Sequence, residues 1–334
     1  MRWLFFTITL LGLALLGVSL VRSDTLSVPL QKITQKKEPG FSIGWVGDMV
    51  PASDDAYNET VFSFVTPYTK TPTLMIGNLE GTFAREDRLS KCAYLSEKCH
   101  AFRGKASFAQ SLKSAGFDFV SLINNHSYDY GDEGLLDTQK VLEEYGIPYI
   151  SPTKPSVSIV VHEKKIGVLG VSSTPPISTI TDYDFIKKEI TKLKTENDIV
   201  ILIFHGGAEG ADKTKVLGEY EYLGTENRGN VVLVAQTAID AGADIVLGSG
   251  PHVLRKVAYY KERPIIYSAG NFVGGNERLN TKGILGVSGI FTITKGTAAP
   301  FTHSITPVVL SKEGVPSFDP EGAALQLVES LSKE

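Results

Sequence analysis

Cysteine is nearly absent from this chain. Its 334 residues contain two, Cys92 and Cys99. One cysteine pair with the adjacent His100 cannot fill a tetrahedral zinc site, so a closed structural zinc is excluded. The pair sits in a polar segment, with six residues between its members, and reads as a local disulfide of an oxidising compartment. Dense basic runs are also missing. The formal net charge is −4, and the small tracts Lys187-Lys188 and Lys192-Leu193-Lys194 fall on a predicted helix as a solvated face. Nucleic acid is therefore not an expected partner. Internal repeats and low-complexity segments are lacking too. A 42% hydrophobic share with 21% charged residues is globular composition, with apolar material for a sizeable core.

What the N-terminus does have is a long apolar run, Trp3 to Val21, bounded by Arg2 and Arg22. Nineteen residues at ~1.5 Å rise approach the thickness of a bilayer core. The run exceeds a usual signal h-region and lacks a clear small-x-small cleavage site. Residues 1–23 are expected to be an uncleaved signal-anchor, with a cleaved signal peptide as the alternative. No cysteine follows the run, which argues against a lipoprotein anchor. One Arg on each flank leaves the orientation unspecified by charge. The rest of the chain is expected on the extracytoplasmic side of a cell membrane, single-pass, or secreted if the segment is removed. Residues 24–40 read as a polar tether and residues 41–334 as one domain.

From Phe41 onward, short apolar runs end in Gly, Asn, His or Asp, and helical patterns often follow. The runs are Phe41–Val46, Thr73–Ile76, Phe117–Ile123, Lys165–Val171, Ile199–Phe204 and Asp244–Leu247. Helices are predicted over Lys105–Ala115, Leu135–Tyr145, Phe185–Thr195 and Asn230–Ala241. Leu135, Leu136, Gln139 and Leu142 have the spacing of one buried helix face. Alternating strand and helix argues a layered α/β domain with a largely parallel inner sheet. After Arg255 the pattern changes to strands with few helices between them, so this half is expected to add antiparallel or mixed strands. The predicted segments are Arg255–Lys261, Pro264–Tyr267, Ile284–Thr294 and Thr302–Leu310, and then a last helix over Pro320–Leu331.

The residues that end the runs share a chemistry. Asp48 follows the first strand, Asn78 and Glu80 the second, and Asn124-Asn125-His126 the third. His205 and His252 follow later ones. Ligands of open α/β sheets bind beyond the carboxyl ends of parallel strands, so these groups converge on one rim. Alone, a histidine after a strand is more often structural, and an Asp after Gly is more often a turn residue or N-cap. The coincidence carries the argument: five strand ends bear ligand-type residues, and three of the six histidines are among them. Carboxylates, amide oxygens and imidazoles together suit Mn²⁺, Fe²⁺ or Zn²⁺. A carboxylate can bridge two such ions, and an imidazole beside them can give a proton to a leaving group.

Gly47-Asp48, Gly77-Asn78-Leu79-Glu80, Asn124-Asn125-His126-Ser127-Tyr128-Asp129-Tyr130-Gly131, His205-Gly206-Gly207-Ala208-Glu209, Gly250-Pro251-His252 and Tyr267-Ser268-Ala269-Gly270-Asn271 occur in this order. Together they resemble the CapA-type capsule (poly-γ-glutamate) synthesis proteins, a branch of the calcineurin-like metallophosphoesterase superfamily. The segment from Cys92 through Cys99 to Phe102 and Arg103 is also similar to one found in that family. The resemblance implies a four-layer αββα metallophosphoesterase-like sandwich with mixed sheets, here preceded by the transmembrane helix. It implies a centre for one or two divalent ions. Asp48, Glu80, Asn125, His205 and His252 would be the ligands, Glu80 bridging, and His126 the acid or transition-state stabiliser. Asn78, Asp129, Glu209 and Asn271 would support the ligands or the substrate, and Arg103 would bind an anionic group. The implied process is synthesis or export of an anionic polymer, by hydrolysis or transfer at a phosphoryl or amide bond, alongside polymer-synthase subunits. The alternatives are a non-catalytic scaffold or polymer-binding subunit, and a general metallophosphodiesterase. The chain departs from the superfamily pattern twice: Gly47-Asp48-Met49-Val50 lacks the His of Asp-x-His, and Gly250-Pro251-His252 lacks the first His of Gly-His-x-His.

Overall fold

The continuous apolar run Ile199–His205 is buried at every position, which identifies a central strand covered on both faces. In the computed structural model, which describes residues 40–94, 99–174, 179–296 and 300–333, this strand lies inside a six-stranded sheet. From edge to edge that sheet runs Val257–Tyr260, Arg263–Ile266, Ile245–Ser249, Ile199–His205, Lys164–Ser172 and Ser156–Val161. The other large sheet has eight strands. Its path runs Pro316–Phe318, Phe301–Leu310, Val287–Lys295, Phe41–Val50, Leu74–Leu79, Phe119–Ser121 and Tyr149–Ile150, and Asn271–Gly274 pairs with the end of Phe41–Val50.

Both sheets are mixed, as the family resemblance implies. In the eight-stranded sheet the pairs from Phe41–Val50 through Tyr149–Ile150 are parallel. The pairs on the opposite side, out to Pro316–Phe318, are antiparallel. The late segment predicted as strands supplies that antiparallel side.

Three apolar clusters separate four layers. Trp45, Leu74, Ile76 and Phe119 meet Ile166, Ile201, Ile203 and Leu247 between the two sheets. Phe108, Leu112, Leu135 and Leu142 cover the outer face of the first sheet. Ile186, Ile190, Val234 and Ala238 cover the outer face of the second. The helices carrying them are Ala106–Ser114, Gly131–Glu144, Tyr183–Glu196 and Val231–Asp240. The last two start at side-chain caps: Asp182 accepts from Phe185 N, and Asn230 from Val232 N and Leu233 N. On Gly131–Glu144 the buried face is Leu135, Thr138 and Leu142, whereas Leu136 is 51% exposed and does not belong to it. Leu136 is one step, about 100°, around the helix from Leu135, so tight packing of the first turns the second outward.

Gly47 sets a close approach. A β-carbon there would lie 1.9 Å from the Gly270 carbonyl oxygen, so only glycine lets Asp48 N donate to that oxygen at 2.9 Å. This contact brings Asn271 into register with Asp48. The apolar run within residues 1–23 and the tether up to residue 39 lie outside the described residues. Among the described residues, no helix is long and apolar enough to cross a membrane.

Candidate metal centre

The strand ends do converge, and a chain of amides holds them in place. Asp48 is fully buried at a register shift in its strand, and such a bulge re-aims a side chain. Asn78 Nδ2 donates to Asp48 Oδ1 at 2.8 Å, and Asn124 Nδ2 donates to Asn78 Oδ1 at 3.1 Å. Asn124 Oδ1 in turn accepts from the His126 backbone N–H at 3.0 Å. Asn78 and Asn124 are thus braces between three strand ends. Glu80 N donates to Met49 O at 2.9 Å, which turns the Glu80 carboxylate back toward Asp48.

The second sheet contributes the imidazoles. His205 Nδ1 meets Ser249 Oγ at 3.1 Å, leaving Nε2 3.7 Å from Glu80 Oε1. His252 takes a φ of 60°, a strained conformation for a non-glycine residue that often marks functional sites. Its Nδ1 lies 2.8 Å from Asn271 Oδ1, 3.3 Å from Asp48 Oδ2 and 3.9 Å from Glu80 Oε2. Asp48, Glu80 and His252 bring ligand atoms within 4.8 Å of one another.

These residues fit a divalent cation. Buried polar atoms nearly always have hydrogen-bond partners. Here both Glu80 oxygens, His205 Nε2 and Asn125 Oδ1 are buried with none. The Glu80 and Asn125 oxygens are acceptors, and so is His205 Nε2 when the ring proton sits on Nδ1 facing Ser249 Oγ, so a cation can satisfy them. The titration tendencies agree. Burial pushes the Glu80 carboxyl well above its ordinary range, and the neighbouring Asp48 charge pushes it further. Burial opposes charge on His252, but the Glu80 and Asp48 carboxylates outweigh it and raise the imidazole to about 10. Without a cation the centre keeps protons to offset its own negative charge. Burial also raises Asp48, yet the hydrogen bond and charge of His252 hold it below its usual value. His205, enclosed on all sides, is pushed well below the ordinary histidine value by burial.

His126 stands beside this group on its own support. Its Nδ1 meets Asp129 Oδ2 at 2.8 Å, and the Phe102 ring stacks on the imidazole with centroids 4.3 Å apart. Asp129 is fully buried, accepts from Phe102 N, and pairs through Oδ1 with Lys91 Nζ at 2.6 Å. Lys91 Nζ also reaches Asn125 O at 3.2 Å. Burial lowers the His126 pKa, and the Asp129 partner opposes that shift. Cys92 and Cys99 are joined in a disulfide, so the segment that delivers Lys91 and Phe102 is closed on itself.

Arg103 and Glu209 differ in their distance from the cluster. Arg103 joins none of these contacts. Its Nη1 and Nη2 donate to Glu86 O and Arg88 O, and its guanidinium lies 4.2 Å over the Tyr130 ring. Those contacts fix Arg103 in the wall of a cleft of about 510 Å³, shared with Arg85 and Lys105. Glu209 lies near the cluster, its Oε2 3.8 Å from His252 Nε2, but its Oε1 is paired with Arg228 Nη2 at 2.9 Å. Arg228 and Lys91 are the residues that sequence reasoning missed. Arg228 lies in a polar, turn-rich stretch, Gly224-Thr225-Glu226-Asn227-Arg228-Gly229, which carries no periodic signal. Lys91 borders Cys92, and that adjacency is the only hint the chain offers.

Comparison with known proteins places this geometry in a context. The sequence profile described as "Bacterial capsule synthesis protein PGA_cap" matches residues 42–276. The capsule biosynthesis protein CapA of Bacillus anthracis is 28% identical over 295 residues, 81% of this chain and 68% of that protein. The PGA biosynthesis protein CapA of Bacillus subtilis is 27% identical over 258 residues, 72% of this chain and 65% of that protein. The match thus spans about two thirds of each relative's length. Among solved structures, a phosphatase from Mycoplasma pneumoniae superposes with a TM-score of 0.52 at 14% identity, covering 87% of this chain and 100% of that one. The likeness is one of fold: layered, mixed α/β sheets.

Proposed function

The chain belongs to the bacterial capsule synthesis protein family PGA_cap, and from that premise we propose that it is a metal-dependent hydrolase or transferase of anionic-polymer biosynthesis. The bond acted on is a phosphoryl or amide bond in poly-γ-glutamate production or export. The observation that carries this reading is the set of unpartnered acceptors, Glu80 Oε1 and Oε2, His205 Nε2 and Asn125 Oδ1, buried at the ends of strands from two sheets. Asp48, Glu80, Asn125, His205 and His252 are the residues that would hold the ion. When bound, it supplies Lewis-acid polarisation of a phosphoryl or carbonyl oxygen. Asp129 Oδ2 accepts from His126 Nδ1, so Nε2 is the nitrogen left to exchange a proton with the reacting group. Asp129 then balances the charge on His126, and its other oxygen pairs with Lys91 Nζ at 2.6 Å. Membrane attachment through the apolar N-terminal run, with the domain outside the cytoplasm, is part of the same proposal. The Cys92–Cys99 disulfide supports the compartment.

A second reading is a scaffold or polymer-binding subunit of a synthase complex. The observation favouring it is the loss of imidazoles at positions 50 and 250. Metal analysis of the purified full chain after Mn²⁺ or Zn²⁺ supplementation separates the two. The enzyme reading expects at least one ion per chain, and loss of both ion and polymer production in Asp48→Ala. Less than one ion, with polymer production intact in Asp48→Ala, sinks it in favour of the scaffold.

A further inference from the structure

Arg228 is fully buried, and its partners show why it is there. Nε donates to Gly207 O at 3.0 Å, Nη1 meets Glu226 Oε1 at 3.2 Å, and Nη2 meets Glu209 Oε1 at 2.9 Å. Glu226 reaches solvent, whereas Glu209 turns inward so that its second oxygen lies 3.8 Å from His252 Nε2. The guanidinium therefore reaches the metal cluster through a single carboxylate.

The same guanidinium fills the space beside Gly250. A β-carbon at position 250 would stand 3.1 Å from Arg228 Nη2, and 2.9 and 3.0 Å from Gly206 N and O. Gly250 also has a φ of 114°, which L side chains rarely adopt. No ligand side chain can project from this position. The side of the cluster facing His205 is left with Glu80 Oε1 and His205 Nε2, 3.7 Å apart, of which only the Glu80 oxygen is anionic. On the other side Asp48, Glu80 and His252 converge, with Asn271 bracing the imidazole.

Charge counting points the same way. Asp48 and Glu80 are fully buried, and Glu209, which is partly exposed, joins them to the Arg228 guanidinium. That buried positive charge offsets part of the carboxylate charge and leaves less of it to balance a second divalent ion.

We propose that the centre is asymmetric: Asp48, Glu80 and His252 hold one divalent ion tightly, and Arg228 supplies the remaining positive charge in place of a second ion. This rests on the metal-centre reading above. The test is a Mn²⁺ titration of the chelator-stripped full chain, followed by electron paramagnetic resonance and elemental analysis. The wild-type chain is expected to bind one ion, with an uncoupled Mn²⁺ spectrum at one equivalent, and a second at least about tenfold more weakly. Two ions of equal affinity, or a spin-coupled pair at one equivalent, overturn the asymmetry and leave the metal reading standing. Absence of any bound ion overturns both. Arg228→Met removes the charge at similar length and is expected to tighten the second ion at least about tenfold, whereas Arg228→Lys keeps the wild-type asymmetry. An unchanged second affinity in folded Arg228→Met counts against the role of Arg228. Should that variant not fold, the wild-type titration decides.

Discussion

At the scale of single residues, the centre is governed by charge that the protein cannot balance from its own atoms alone. In the cation-free protein, His252 holds a proton up to about 10 because Glu80 and Asp48 face it. Glu80 likewise retains its proton well above the ordinary range. An entering ion must displace at least one of these protons. The sign follows: the free protein carries more protons than the loaded one, so ion affinity rises with pH. Isothermal titration with Mn²⁺ should show about tenfold tighter binding per pH unit between roughly pH 6 and 8 for one proton displaced. A flat profile would mean that His252 is already neutral. His126 gives the complementary case, because it stands beside the ligands and is braced by Asp129 rather than by the cluster. His126→Gln should retain the ion by elemental analysis while turnover of a generic phosphodiester falls roughly 10²-fold or more. Equal loss of ion and turnover would make His126 a ligand instead.

At the scale of elements, the segment from Lys91 to Phe102 acts as a clasp. One end brings Lys91 to Asp129 Oδ1, and the other brings Phe102 N to Asp129 Oδ2 and its ring to His126. The disulfide joins Cys92 to Cys99 between those two grips. Cutting it restores freedom to a short loop, and ordering each backbone residue costs about 1–2 kcal/mol. Hydrogen exchange on the Cys92→Ser/Cys99→Ser variant should therefore quicken in residues 99–102 and 126–129. The central strand Ile199–His205, buried throughout and in the other sheet, should stay protected. Uniform acceleration across both sheets would show that the disulfide stabilises the whole domain and not the clasp.

At the scale of the whole molecule, the candidate centre is a joint between sheets. Asp48 and Glu80 come from the eight-stranded sheet, His205 from the six-stranded one, and His252 from the turn that follows Ile245–Ser249. A ligand that binds only the folded state stabilises it by mass action. At a hundredfold excess over Kd the gain is about 2.7 kcal/mol, which for a domain of this size raises Tm by roughly 5 °C. Differential scanning fluorimetry should show that rise with Mn²⁺ in the wild type and none in Asp48→Ala. An equal rise in both would place the ion elsewhere.

The residue types at the strand ends could be read from the chain because ligand chemistry is local. Asp48, Glu80, Asn125, His205 and His252 each follow an apolar run, and strand ends are where an α/β sheet presents side chains. The alternation of strands and helices was legible for the same reason, since periodicity is a property of neighbours in sequence. Leu136 was misplaced because burial depends on which helix face the sheet meets, and that face is chosen by packing across the layer. The antiparallel half of the first sheet is legible from the scarcity of helices between its strands, but which strands pair is set by packing. Arg103 is legible as a cation, but its bonds to Glu86 O and Arg88 O exist only because the folded loop brings those carbonyls near. Arg228 is the sharpest case. It lies 22 residues before Gly250 in the sequence, and nothing local marks it. The fold sets its guanidinium 3.1 Å from where a side chain at 250 would begin. The chain by itself determined which chemical groups could form the centre. The tertiary structure alone decided the balance of charge around them, because that balance depends on distances between elements far apart in sequence.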